Sequence, residues 1–286
     1  MKKNLRIILT IAVVVAALFA GRWIWTDYMH TPWTRDGRIR AEIITVSPDV
    51  SGWVTELHVK DGQLIKKGDL LFTVDNKRYQ AALDKSKAHT ENALYTWELA
   101  KHKLTRRKDL NSQQAISEEG YESTRINAKI AKSNYELAKT EQTIAQLNLD
   151  RTKVYAPVSG QVINLNLRNG NYVGQGTSVF AIVKSNSFYV TGYFEETKIP
   201  LIHKNQQATI ALLSGGQLLH GHVTSVGKAI ANTNTQGNSQ LLPQIQQTFN
   251  WVRLSQRIPV DIQLDSLPEH TQLSAGMTAT IHLDTQ

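Results

Sequence analysis

Nine histidines are the residues of this 286-residue chain best suited to hold a metal or move a proton, and they are scattered. His220 and His222 come nearest to a site. Two apart on an alternating segment, they face the same way, as two ligands of one ion would. No third ligand accompanies them, so the pair reads as part of a surface strand. Gly215-Gly216 is a hairpin turn rather than a phosphate loop, because neither Lys-Ser/Thr nor a helix follows it. Lys66-Lys67 reads as a solubilising turn pair. Cysteine is absent, which removes thiol catalysis, cysteine zinc sites, disulfides and an acylated cysteine, and suits an oxidising compartment. The chain carries no enzyme signature. Neither cofactor nor metal is expected.

The elements around these residues say more. Lysine and arginine number 32 against 24 acids, a net charge of +8, but the charges are spread and mix both signs. A basic stripe is lacking, and no nucleic-acid partner is expected. Lys2, Lys3 and Arg6 precede an apolar run, 7–20, in which Thr10 is the sole polar residue. Extended to Trp25, the run approaches the ~20 residues that cross a bilayer. Its positive flank predicts a cytoplasmic N-terminus, with the bulk of the chain across the membrane. Leu18 makes cleavage after Ala20 unfavourable, so the segment reads as an uncleaved signal anchor. Trp23, Trp25, Tyr28 and Trp33 are the expected interfacial aromatics.

Residues 46–74 align without gaps on 154–182. Val50-Ser51-Gly52 meets Val158-Ser159-Gly160, Gly62 meets Gly170, Gly68 meets Gly176, and Phe72 meets Phe180. Short alternating strands with glycine turns at Gly52, Gly62, Gly68, Gly160, Gly170 and Gly176 are predicted in each half. Neither half can bury a face alone, so the two must pack as one sandwich. Between them Tyr79, Leu83, Ser86, Thr90, Ala93, Trp97, Ala100 and Leu104 form one heptad seam. Tyr121, Thr124, Ala128, Ala131, Tyr135, Ala138, Gln142, Ala145 and Leu149 form a second. They predict an antiparallel coiled coil of two arms, each ~50 Å long at 1.5 Å per residue. Its polar turn is 111–117, with Ser117 as N-cap of the return. Ile130, Leu137 and Ile144 lie off the seam, as extra hairpin core or as a lateral face for a neighbouring subunit. Alternation after Ser187, at 188–194, 208–213, 218–226, 251–264 and 277–283, predicts a small β-barrel, and Asn/Gln-rich 232–250 a mobile loop.

The fold class is therefore mainly β with a long α-helical hairpin. Six segments follow: 1–33 cytoplasmic tip, anchor and interface; 34–45 a first barrel strand; 46–75 and 152–185 the repeat halves; 76–151 the hairpin; 186–286 the barrel.

The repeat resembles the two halves of a biotinyl/lipoyl domain. That family presents a modifiable lysine on the tight turn between halves; here the hairpin replaces the turn and Lys77 begins a helix, so no swinging arm is expected. Over the whole chain the order of segments is similar to the periplasmic adaptor family of efflux pumps (membrane fusion proteins, HlyD-like). Pro32-Trp33-Thr34-Arg35-Asp36, Pro48-Asp49-Val50-Ser51-Gly52, Asn186-Ser187-Phe188-Tyr189-Val190, Glu195-Glu196-Thr197-Lys198, Trp251-Val252-Arg253-Leu254 and Gln256-Arg257-Ile258-Pro259-Val260 resemble its branch that exports aromatic carboxylic acids such as p-hydroxybenzoate. Multidrug adaptors share some of these blocks. The resemblance implies a tripartite pump in which this single-pass inner-membrane, largely periplasmic subunit forms a ring, a hexamer, between an inner-membrane transporter and a TolC-type outer-membrane channel. A pump for other small molecules, or an envelope scaffold without transport, are the alternatives. Adaptors that dock on such channels carry Arg, Leu and Ser near the hairpin tip, four and then seven apart. Arg106, Leu110 and Ser117 keep that spacing. The resemblance gives arginine a hydrogen bond to the channel, leucine a groove to fill, and serine the returning helix to cap.

Overall fold

Strand β1 (Trp33–Arg40) begins in an alternating pattern and pairs on both sides within a closed barrel. This computed structural model describes residues 10–22, 25, 31–112, 115–229, 235–237, 243–245, 255–266 and 272–284. The strand expected over 34–45 stops at Arg40. The Glu42 N–H is fixed by the Ser187 hydroxyl at 3.1 Å, and the next four residues leave the barrel to form β2 (Ile43–Val46). Two units result: Ile43–Ser185, and the joined segments Met1–Glu42 and Asn186–Gln286.

In the first unit, β2 to β5 come from the first half of the repeat: β2, then β3 (Gly52–Leu57), β4 (Leu64–Ile65) and β5 (Leu70–Val74). The second half supplies β6 (Lys153–Tyr155), β7 (Gly160–Ile163), β8 (Tyr172–Val173) and β9 (Phe180–Lys184). The sheets run β2-β9-β7-β4 and β6-β5-β3-β8, so each takes two strands from either half. Exchanging the halves exchanges the sheets. Repeat-matched side chains meet in the core between them: Val54 and Val162, Ile65 and Val173, Val74 and Ile182 are buried, and Phe72 meets Phe180 edge-on at 6.2 Å. Separated, each half would leave its apolar face in water.

Between β5 and β6 stand two antiparallel helices, Lys77–Ser112 and Glu118–Asp150. Asp75 accepts the Lys77 N–H at 3.0 Å and starts the first. The seam is built from small residues: Ala128, Ala131 and Ala138 are buried, and Thr90 donates to the Ala138 carbonyl at 3.0 Å across it. Trp97 stacks on Tyr135 with centroids 5.4 Å apart, flanked by Lys101 and Lys132.

In the second unit β1 joins β10 (Tyr189–Glu195), β11 (Gln207–Leu212), β12 (Leu219–Val226), β15 (Arg257–Leu264) and β16 (Thr278–Leu283). They close in the order β1-β10-β15-β12-β11-β16 around Ile39, Val190, Phe194, Ile210, Val223, Ile262 and Ile281. Gly215 and Gly216, with φ of +81° and +104°, lie in the turn from β11 to β12. Within the stretch expected as a mobile loop, β13 (Thr235–Gly237) pairs with β14 (Pro243–Ile245). The remainder of 232–250, and 251–254 of the strand expected at 251–264, lie outside the described residues. So do 7–9 and 23–24 of the expected anchor, whose described stretch, 10–22, is helical. No helix among the described residues is long and apolar enough to cross a membrane. Trp33, expected among the interfacial aromatics, opens β1 and stacks on His282 at 5.9 Å.

Candidate functional site

The hairpin tip gathers Arg106 and Leu110 into one groove of about 790 Å³ between the helices. Leu99, Lys103, Arg106 and Leu110 follow one another at three- and four-residue steps along the first helix, so their side chains share a face. Thr124, Asn127 and Ala131 form the opposite wall, and Ile116 reaches in from the turn. Leu110 is 37% exposed, and its carbonyl accepts the Ala115 N–H at 2.9 Å, closing the turn. Ser117 lies beside the groove and outside its lining. Its hydroxyl accepts the Gly120 N–H at 3.2 Å, the N-cap bond, while Glu118 and Glu119 complement the helix dipole.

Lys103 and Arg107, which the sequence reading did not single out, also line this groove. Arg107 crosses to the second helix: a Cβ on Gly120 would stand 3.2 Å from its Nη1. For Lys103 the signal was present in the spacing, because 99, 103, 106 and 110 form a helical face that flanks the seam. Three basic side chains (Lys103, Arg106, Arg107) then surround one apolar floor. That arrangement can receive backbone carbonyls or carboxylates beside a small hydrophobic residue. On the adjoining surface Arg125 Nε donates to Glu122 at 2.7 Å, which holds the Glu122 carboxyl below its usual range.

The six repeat glycines divide into two kinds. Gly62, Gly68, Gly170 and Gly176 have φ between +73° and +92°, as tight turns require. Gly52 and Gly160, expected at turns, open β3 and β7 instead. They are needed for close approach: a Cβ on Gly160 would stand 2.1 Å from the Val183 carbonyl oxygen, and one on Gly52 2.6 Å from Val74. Ile130, Leu137 and Ile144 are 52%, 60% and 54% exposed on the outer face of the second helix, so they are not hairpin core. His222 does not share a ligand with His220; its Nδ1 stands 2.7 Å from Asp265 Oδ1.

A two-sheet sandwich interrupted by a helical hairpin and followed by a closed barrel defines an adaptor-type protein, built to span distance rather than to catalyse. Residues 42–185 match the model of the RND membrane fusion protein barrel-sandwich hybrid domain, and 187–284 that of the AAEA-like β-barrel domain. The chain belongs to the RND membrane fusion protein family, the periplasmic adaptors of tripartite efflux systems, and is not an enzyme. It is 42% identical over 279 residues, 98% of each chain, to the uncharacterized protein YdhJ of Escherichia coli strain K12. Among solved structures it resembles a MacA–MexA chimeric protein carrying the Pseudomonas aeruginosa MexA α-hairpin (TM-score 0.61, 24% identity, 90% of this chain and 82% of that one). It also resembles the membrane fusion protein Spr0693 of Streptococcus pneumoniae R6 (TM-score 0.64, 17% identity, 88% and 98%). At these identities the structures speak for the fold.

Proposed function

We propose that this adaptor serves a pump for aromatic carboxylic acids such as p-hydroxybenzoate, and that its hairpin tip docks on a TolC-type outer-membrane channel. The observation that carries the docking is the tip groove, where Arg106 and Leu110 share one face and Ser117 caps the returning helix beside them. The sequence blocks around Trp33, Glu195 and Arg257 support the cargo. In this reading residues 7–25 anchor the chain in the inner membrane with the N-terminus cytoplasmic. A single hairpin cannot enclose a path, so subunits form a ring, of six, against an inner-membrane transporter. Ile130, Leu137 and Ile144 supply a lateral face of that ring.

The test is accumulation of a panel of aromatic acids in cells with and without the protein. Cells lacking it should retain 4-hydroxybenzoate and recover on complementation. Retention of unrelated amphiphiles alone would make it a multidrug adaptor, and retention of nothing would make it a scaffold without transport.

A further inference from the structure

Three sequence blocks far apart in the chain meet at one end of the barrel. The register of β1 against β16 shifts between Thr34 and Gly37, so Arg35 and Asp36 form a bulge. Bulges at barrel rims re-aim side chains, and here both residues line a cleft of about 340 Å³. Buried Thr34 fixes the bulge: its hydroxyl donates to the Tyr193 carbonyl at 2.7 Å and accepts the Asp36 N–H at 3.1 Å. The β10–β15 ladder sets Glu195 opposite Arg257. The 3-10 turn Glu196–Leu201 then carries the buried Lys198 to 5.0 Å from the centre of the Trp33 ring.

The electrostatics of this cleft are lopsided. Among the described lining residues the guanidinium groups of Arg35, Arg38 and Arg257 accompany two carboxylates, those of Asp36 and Glu195. Asp36 is already taken, since Arg257 donates to one oxygen at 2.6 Å and Arg38 lies 3.7 Å from the other. Arg35 rests with its Cζ 5.3 Å from the Trp33 centroid and pairs with no described carboxylate. Arg257 lines the same cleft, and planar guanidinium groups are suited to a carboxylate. Tyr193 forms an aromatic wall, its hydroxyl pinned by Arg40 at 2.9 Å. The volume is at the low end of the ~300–1,000 Å³ of small-molecule pockets, which suits a single ring better than a peptide.

We infer that this cleft binds a small aromatic carboxylate, with the carboxylate on Arg35 and Arg257 and the ring beside Tyr193. The ligand class rests on the cargo proposed above; the cation excess and the cleft do not.

The purified full chain, titrated with 4-hydroxybenzoate and followed by calorimetry, tests it. Saturable binding is expected, and Arg35→Gln and Arg257→Gln should each weaken it about tenfold, the scale of one lost charged hydrogen bond. Both side chains are exposed, and unchanged melting would show the fold intact. Arg257→Lys should retain more affinity than Arg257→Gln. Neither 4-hydroxybenzamide, which lacks the charge, nor inorganic phosphate, which lacks the ring, should displace the ligand. No saturable binding, wild-type affinity in both glutamine variants, or equal competition by phosphate or the amide would each overturn the site. Loss of 4-hydroxybenzoate export without this protein, beside a wild type that does not bind, would remove the cleft and leave the proposed cargo standing. Binding without any effect on export would do the reverse.

Discussion

Leu110→Asp asks the most of the tip. In the free chain Leu110 is 37% exposed, so a partner can remove only about a third of its surface from water. Complete burial of a leucine is worth roughly 1.5–3 kcal/mol, and the share available here is therefore about 0.5–1 kcal/mol per subunit. A carboxylate in its place must also be desolvated, at about 1–3 kcal/mol if left unpaired, although Lys103, Arg106 and Arg107 in the same groove would offset part of this. The expected loss is thus about 1–3 kcal/mol per subunit, small for one hairpin. Around the proposed ring of six the losses would compound through avidity, and assembly with the channel should fail. Folding should hardly change, because the residue lies in the last turn of its helix and the Ala115 N–H bonds its carbonyl, not its side chain. The assay is site-specific cross-linking from position 110 to the outer-membrane channel, read beside export, protein level and helix content. Arg106→Asp should behave alike, Ser117→Ala should cost about 1 kcal/mol of cap energy, and Lys108→Asp, outside the groove lining, should be mild. Normal export by Leu110→Asp, with no cross-link in the wild type, would refute tip docking.

Other consequences concern the scaffold. Gly160→Ala places a methyl 2.1 Å from the Val183 carbonyl oxygen and should lower the melting temperature far more than Gly170→Ala, whose φ of +84° costs about 1–2 kcal/mol but whose Cβ meets nothing; equal melting would refute the close-approach argument. Ile130→Glu with Leu137→Glu should shift sedimentation toward monomer while leaving circular dichroism unchanged, since both residues are more than half exposed; an unaltered oligomer distribution with normal export would exclude that lateral face. Glu122, held below its ordinary 4.5 by Arg125, contributes stability that is full above that value and lost as pH falls through the lowered one. Acid titration of helix content should therefore lose a component in Glu122→Gln.

The hairpin was the most legible part of the chain because its seam is a local property: heptad spacing depends only on neighbours three and four residues away. Each seam residue from Tyr79 to Leu104 is at least partly buried, while nearly all the residues between them are exposed. The repeat was legible for another reason. Identical turn glycines at one offset demand identical φ, and Gly62 and Gly170 differ by only a few degrees, +77° against +84°. Strand partnership was not legible. Nothing in Ile43–Val46 distinguishes pairing with β9 from continuing the barrel strand, since both offer the same period of two; closure depends on residues more than a hundred positions away. The two strand-opening glycines were misread for a related reason, because a glycine required by a neighbouring carbonyl looks like one required by a turn until the neighbour is known. The cleft at Arg35 left a faint trace. Arg35 and Asp36 put two charges in a row, followed by Gly37, inside the otherwise alternating strand β1, and that break in period is what a bulge looks like in sequence. The trace marks a bend but not its companions: only the closed barrel brings Lys198 and Arg257 to it, so the strand order β1-β10-β15 is what turns a local irregularity into a charged cavity.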